Sequence, residues 1–167
     1  MLYIRSIMTA SSKEQPTANR TYALPDADSS WCLVADGQAL RWSTNADRLS
    51  LIRAGVPYAA IESLSKTIHL PIKHLLDVLR LPQTSYNKKK AASANLDPRD
   101  GELVMRIAEV IDYGQEVFNQ EHEKFERWIV RPNRSLGGVS PLSMFDTVSG
   151  VTEVKACLDR LEHGNLA

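Results

Sequence analysis

The chain has 167 residues, with 20 basic and 20 acidic side chains and therefore no net charge. An apolar share of 43% beside 24% charged residues excludes a disordered or membrane-embedded chain and suits one or two small domains with a real core. The zero total excludes a global pull toward nucleic acid, yet it hides a division: Lys66 to Arg99 carries seven bases against two acids, and Asp100 to Arg127 eight acids against three bases.

Cys32 and Cys157 stand apart with no Cys-x-x-Cys pair, as expected of incidental thiols in a reducing cytosol. The N-terminus lacks the charged and apolar regions of a secretory leader, and no apolar run reaches the length of a membrane span. The expected location is cytoplasmic.

In chain order, residues 1–30 mix Ser, Thr, Ala, Pro and Asp without sustained period and read as a flexible or partner-ordered tail. Trp31-Cys32-Leu33-Val34 has two readings. It is a short strand turned at Asp36-Gly37 and paired with Ala39-Leu40-Arg41-Trp42, or an apolar tail docked on the body. Ala46, Leu49 and Ile52 then space a short helix that ends at Gly55. Pro57 opens a second helix with Tyr58, Ile61, Leu64 and Ser65, and Pro71 a third with Ile72, Leu75, Leu76 and Leu79. A fourth runs from Gln83 to roughly Ala92.

Asp97 caps the next helix and Pro98 takes its first position. Its stripe of Leu103, Val104, Ile107, Val110, Ile111, Gly114, Val117 and Phe118 continues through Phe125, Trp128 and Ile129 on a following helix. The stripe is wide enough for part of it to form a symmetric dimer surface. Pro132, with no N–H to donate, stops the helix through Trp128, and Gly137-Gly138 permits a sharp corner. Ser140-Pro141 is a helix start with Leu142 and Phe145 packed beneath the corner. A second start at Thr147 to Ser149 leads into Val151, Val154, Leu158 and Leu161, one helical stripe closed by Gly164. Outside the N-terminal pair no strand and no internal repeat is expected, so the predicted fold class is all-α.

The segment from Pro71 to Lys90 has helix-turn-helix spacing: Leu75 and Leu76 inward, a tight turn at Arg80-Leu81, and a second helix anchored by Tyr86. That second helix would present Gln83, Thr84, Ser85, Asn87, Lys88, Lys89 and Lys90. Amides and hydroxyls suit base edges and phosphate oxygens, and each lysine on a phosphate releases condensed counterions. Arg80 occupies the turn position where such motifs carry a small residue. With no Arg in the second helix for bidentate guanine readout, specificity would fall to Gln83 and Asn87. The competing reading is a packed helical hairpin with a solvated lysine edge.

Nothing in the chain reads as catalytic machinery. His69, His74, His122 and His163 are scattered, so no metal site and no cofactor is expected. Asp112, Glu116, Glu121, Glu123 and Glu126 alternate with Lys124 and Arg127 in the manner of a solvated helical face. Ser140, Asp146 and His163 are the residue types of a triad without an elbow or oxyanion loop. Met105 and Met144 read as core fillers. The chain is not expected to be an enzyme.

The wording of the C-terminal third is more specific. Trp128-Ile129, Pro132-Asn133, Leu136-Gly137-Gly138-Val139-Ser140-Pro141-Leu142, Phe145-Asp146-Thr147, Val148-Ser149-Gly150 and Leu158-Asp159-Arg160-Leu161-Glu162-His163-Gly164 resemble the C-terminal toxin-binding domain of the Xre/MbcA/ParS antitoxin family. The resemblance extends, less closely, up the chain to about residue 50.

It implies a Cro/C1-type helix-turn-helix domain followed by a small helical toxin-binding domain. The expected divisions are an N-terminal extension at 1–44, the helix-turn-helix at 45–96 and the toxin-binding domain at 97–167. It further implies an antitoxin of a type II toxin–antitoxin pair. The partner would be a RES-domain toxin, similar to ADP-ribosyltransferases and NAD⁺-degrading, whose cleft the antitoxin occludes. A homodimer would bind operator DNA and repress its own operon, with no membrane partner. By the same resemblance the toxin-binding residues are Pro132, Asn133, Leu136, Gly137, Gly138, Arg160, Glu162, His163 and Gly164, with the tail Asn165-Leu166-Ala167. The plainer reading of the last turn is that Arg160 and His163 complement the helix dipole. The alternative functions are a stand-alone helix-turn-helix repressor whose C-terminal domain dimerises or binds an effector, and an adaptor that binds protein but not DNA.

Overall fold

The structure, a computed structural model, describes residues 31–164. The expected tail at 1–30 and the expected role of Asn165-Leu166-Ala167 lie outside the described residues.

Among the described residues the fold is mostly helical, so the all-α expectation holds approximately, and of the two readings of Trp31 to Trp42 the structure has the β-hairpin. Strand β1 (Trp31–Ala35) pairs antiparallel with β2 (Gln38–Trp42), Trp31 opposite Trp42 and Leu33 opposite Leu40. Asp36 and Gly37 both take positive φ, 50° and 76°, which matches the turn to the right-handed twist of the strands. Cys32, Leu33 and Ala35 are buried, and Trp42 stacks on Trp31 with ring centroids 6.3 Å apart.

Helix α1 (Asn45–Ala54) starts in a capping box between Thr44 and Asp47. Leu49, expected on its inner face, is 48% exposed. The inward line is instead Arg48 and Ile52, four residues apart. Arg48 turns in to meet Glu109 at 2.6 Å, and Trp42 Nε1 donates to the same carboxylate at 2.8 Å. One acid of the central helix thus holds both the hairpin and α1.

Helix α2 (Ala59–Thr67) begins two residues beyond Pro57, which forms a bridge with Asn95. Leu96 N–H donates to the Val56 carbonyl at 2.7 Å and Tyr58 N–H to that of Ala94 at 3.1 Å, clipping 56–58 to 94–96. Helices α3 (Ile72–Val78) and α4 (Gln83–Ala91) follow as a pair.

Helix α5 (Pro98–Val117) is the axis of the fold, capped by Asp97, whose side chain accepts from Asp100 N–H. Its apolar residues point to more than one side, since α1, α2, α7 and the hairpin all pack on it. Leu103, Val104, Met105, Ile107, Ala108, Val110 and Ile111 are all buried, each large one contributing about 1.5–3 kcal/mol. These residues of the stripe are covered within the protomer, while Val117 and Phe118 at its end are half-buried.

Helix α6 (His122–Val130) buries Phe125 and Ile129, and Phe118, Phe125 and Trp128 form a three-ring cluster. Arg134–Leu136 and Pro141–Asp146 are 3-10 turns, so Ser140-Pro141 opens a tighter segment than an α-helix. Helix α7 (Val148–Glu162), capped by Thr147, buries Val151, Val154, Cys157 and Leu158 against α5. No helix among the described residues is long and apolar enough to cross a membrane.

Candidate functional site

Two separate surfaces carry the residues singled out from the sequence. The first is the α3–α4 pair. Leu75, Leu76 and Leu79 are buried beneath it, and Tyr86 is buried with its ring 6.3 Å from that of Tyr58. Burial pushes the Tyr86 phenol up to about 12, and its hydroxyl has no hydrogen-bond partner among the described residues. The turn between the helices places Arg80 at φ 56°, a left-handed conformation that glycine adopts without steric cost.

Gln83, Thr84, Ser85, Asn87, Lys88 and Lys89 are all exposed on α4, with Gln83 Nε2 donating to Asn87 Oδ1 at 3.0 Å. Pro82 at the N-cap offers no side-chain acceptor, so the first N–H groups of α4 remain open. The three lysines differ. Lys90 is ion-paired with Glu62, which Lys66 also contacts at 2.8 Å, and these two bonds hold the Glu62 carboxyl below its usual range. Lys89 lies over the Tyr58 ring at 5.6 Å. Lys88 makes no ion pair among the described residues. The outward charge at the end of α4 is therefore smaller than the Lys-Lys-Lys run suggests.

The second surface is the corner after α6 and the end of α7. Gly137 and Gly138 both have positive φ, 72° and 83°, and Asn133 closes the corner. Its N–H donates to the Val139 carbonyl, its carbonyl accepts from Gly138 N–H, and its side chain accepts from Ser135 N–H at 2.8 Å. Pro132, Gly137 and Gly138 are exposed, but Leu136 is buried, so it anchors the corner from below.

Asn133 Nδ2 reaches to 3.8 Å from Cys157 Sγ, and Arg160 lies beside the same thiol while pairing with Glu153 at 3.2 Å. Burial pushes the Cys157 thiol up and the neighbouring guanidinium pulls it partly back. The corner and Arg160 thus share one face of α7. Glu162 does not. It lies two residues on, about 200° around the helix, and accepts from the Tyr113 hydroxyl of α5. Burial and the Glu162 carboxylate raise the Tyr113 phenol, and Lys155 sits 4.9 Å over its ring. His163 Nδ1 bonds to the Asp159 carbonyl at 2.8 Å, and Gly164 turns the chain at φ 67°.

The remaining sequence candidates go different ways. His69 and His122 approach with ring centroids 6.1 Å apart, and His69 Nδ1 meets Glu126 at 2.6 Å. Ser140, Asp146 and His163 have separate partners: the N–H of Ser143, the guanidinium of Arg80 and the Asp159 carbonyl. Sequence reasoning missed Glu109, Tyr113 and the Arg80–Asp146 contact, since each joins segments dozens of residues apart. It also treated Lys124, Arg127 and Trp128 separately, although their spacing places them on one helix face with Arg131.

Two family models match in the order of these surfaces. The Antitoxin Xre-like helix-turn-helix domain matches residues 47–109, and the Antitoxin Xre/MbcA/ParS C-terminal toxin-binding domain matches 114–164. An Antitoxin Xre of Photorhabdus laumondii is 26% identical over 115 residues, which cover 69% of this chain and 78% of that protein. A Prs ADP-ribosylating antitoxin of a Sphingobium species is 26% identical over 138 residues, 78% of this chain and 87% of that one. An Antitoxin Xre of Yersinia enterocolitica is 27% identical over 113 residues, 68% and 76% respectively. With a helix-turn-helix followed by a toxin-binding domain, the chain belongs to the Xre/MbcA/ParS family and is an antitoxin of a toxin–antitoxin system.

Proposed function

We propose that this antitoxin neutralises a RES-type, NAD⁺-degrading toxin by occluding its active site, and that it represses its own operon by binding operator DNA as a homodimer. The observation that carries the toxin half is the shared face of Asn133 and Arg160 across Cys157, toward the C-terminal end of α7. A guanidinium held there can pair with a catalytic acid or occupy the place of a substrate phosphate. The ADP-ribosylating chemistry in the name of the Sphingobium relative supports a partner that uses NAD⁺. The exposed polar face and uncapped N-terminus of α4 support the DNA half.

The test is co-expression with the product of the adjacent gene. Removing residues from 158 onward would strip buried Leu158 from the core, so substitution is the cleaner intervention. The wild-type chain restores growth, and Arg160→Ala with His163→Ala abolishes rescue without changing the melting temperature. Full rescue by this double variant removes the α7 end from the mechanism. Failure of the wild-type chain to restore growth overturns the toxin reading.

A further inference from the structure

Lys124, Arg127, Trp128 and Arg131 recur at intervals of three, one and three, so they form one outward stripe on α6 and its last turn. Phe125 and Ile129 occupy the opposite, buried side, and Glu126 is turned to His69. The stripe runs into the corner, and Pro132 and Asn133 complete a groove of about 380 Å³. Three of its six lining residues are cationic and none is acidic. Lys124 is matched by Glu121 at 2.7 Å, whereas Arg127 and Arg131 make no ion pair among the described residues. The indole of Trp128 lies between them in sequence, fixed from behind by Phe118 and Phe125.

What borders the groove distinguishes a protein partner from a nucleic acid. Val139, 45% exposed, is tied by its carbonyl to Asn133 in the groove wall, and Val130, 41% exposed, precedes Arg131 in the chain. Unpaired arginines around an aromatic floor with exposed aliphatic neighbours are the composition of a protein-interface centre, where Trp and Arg supply most of the energy. A phosphate-binding face has less use for exposed valines.

We infer that this groove seats an acidic segment of the toxin, with a Glu or Asp side chain held between Arg127 and Arg131 against the edge of Trp128. It forms a second anchor, additional to the α7 end. The inference rests on the toxin reading above, and the experiment separates the two.

The full-length chain and the product of the adjacent gene are mixed at low and high salt and their Kd measured, for wild type, Arg127→Glu/Arg131→Glu and Arg127→Lys/Arg131→Lys. The arginines are exposed, so the variants keep the wild-type melting temperature and circular dichroism. The expected result is a loss of about 100-fold or more for the Glu pair at low salt, a smaller loss for the Lys pair, and a gap that narrows as salt rises. Wild-type affinity in the Glu pair overturns the groove and leaves the toxin reading standing. Loss of binding to the operator duplex with unchanged toxin affinity assigns the groove to nucleic acid and also overturns it. No binding by the wild-type chain overturns both readings.

Discussion

The Arg80 guanidinium lies 3.4 Å from the Asp146 carboxylate, joining the turn between α3 and α4 to the 3-10 segment just before α7. Arg80 is the residue with the left-handed backbone in that turn, and its side chain is 83% exposed. Two opposed effects meet here. A left-handed non-glycine residue costs about 1–2 kcal/mol, while an exposed ion pair returns about 0.2–1 kcal/mol. Arg80→Gly is therefore expected to leave stability unchanged or raise it by up to about 1 kcal/mol. Thermal unfolding checks this, and a loss above about 1 kcal/mol would show that the ion pair outweighs the backbone.

Asp112 is buried on α5 with one carboxylate oxygen unpartnered among the described residues, and burial, assisted by Glu116, pushes it up to about 7. A carboxyl raised in the folded state binds its proton more tightly there than when unfolded. Its destabilising effect is thus absent below about pH 4, grows as pH rises, and is complete above about pH 7. Asp112→Asn is expected to gain on the order of 2 kcal/mol over wild type at pH 8 and much less at pH 5. Denaturant unfolding at the two pH values decides it; an equal difference at both would mean that Asp112 does not titrate in this window.

Gly150 opens α7 against the preceding 3-10 turn, and a Cβ there would stand 1.9 Å from the Met144 carbonyl oxygen. That neighbour is backbone and cannot rotate away. Gly150→Ala should cost at least about 2 kcal/mol, although Ala is the better helix former by about 1 kcal/mol. Circular dichroism with thermal melting would detect it, and a neutral outcome would mean that the turn before α7 yields readily.

Tyr86 offers the opposite case. Its ring is needed beneath α4, but its hydroxyl is buried without a partner among the described residues. Tyr86→Phe keeps the packing against Tyr58 and removes the orphaned group, so stability is expected to hold or rise by about 1 kcal/mol. A marked loss of stability would point to a bond made by that hydroxyl.

In the operator binding proposed above, the lysines of α4 are expected to separate. Lys88→Ala should reduce the slope of log affinity against log salt by about one. Lys90→Ala should change the slope less, because Lys90 is held by Glu62. Equal slopes for the two variants would indicate that Lys90 leaves Glu62 for a phosphate.

Much of the fold was legible because its signals are local. Asp97 with Pro98, Thr147 and Ser140 each satisfy N–H groups within a few residues, and Gly137-Gly138 takes the positive φ that the corner needs. Leu49 was misplaced because helical spacing defines a face only to within a turn, and the inward place went to Arg48, whose partner Glu109 is 61 positions away. The α5 stripe was read as wide for the right reason, but periodicity does not say whether the second face meets another copy or the rest of the same chain. In the structure it meets α1, α2, α7 and the hairpin.

For the candidate site, Tyr86 as anchor and Gln83 to Lys89 as the outward edge of α4 followed from spacing. The pairing of Lys90 with Glu62 did not, nor did the division of Arg160 and Glu162 between two faces of α7 with different partners.

The amino-acid order by itself determined where helices start and stop, which residues line each apolar stripe, and which family the wording of the last third resembles. Those depend on backbone sterics, capping and periodicity over a few neighbouring residues. Only the tertiary structure decided that the first tryptophans form a hairpin, that Glu109 gathers Trp42 and Arg48, that Asn133 and Arg160 meet at Cys157, and that Arg127 and Arg131 make no ion pair among the described residues beside a groove. These depend on which distant segments share a packed interior, and a side chain's partner across dozens of residues is set by the shape of that interior rather than by its neighbours in sequence.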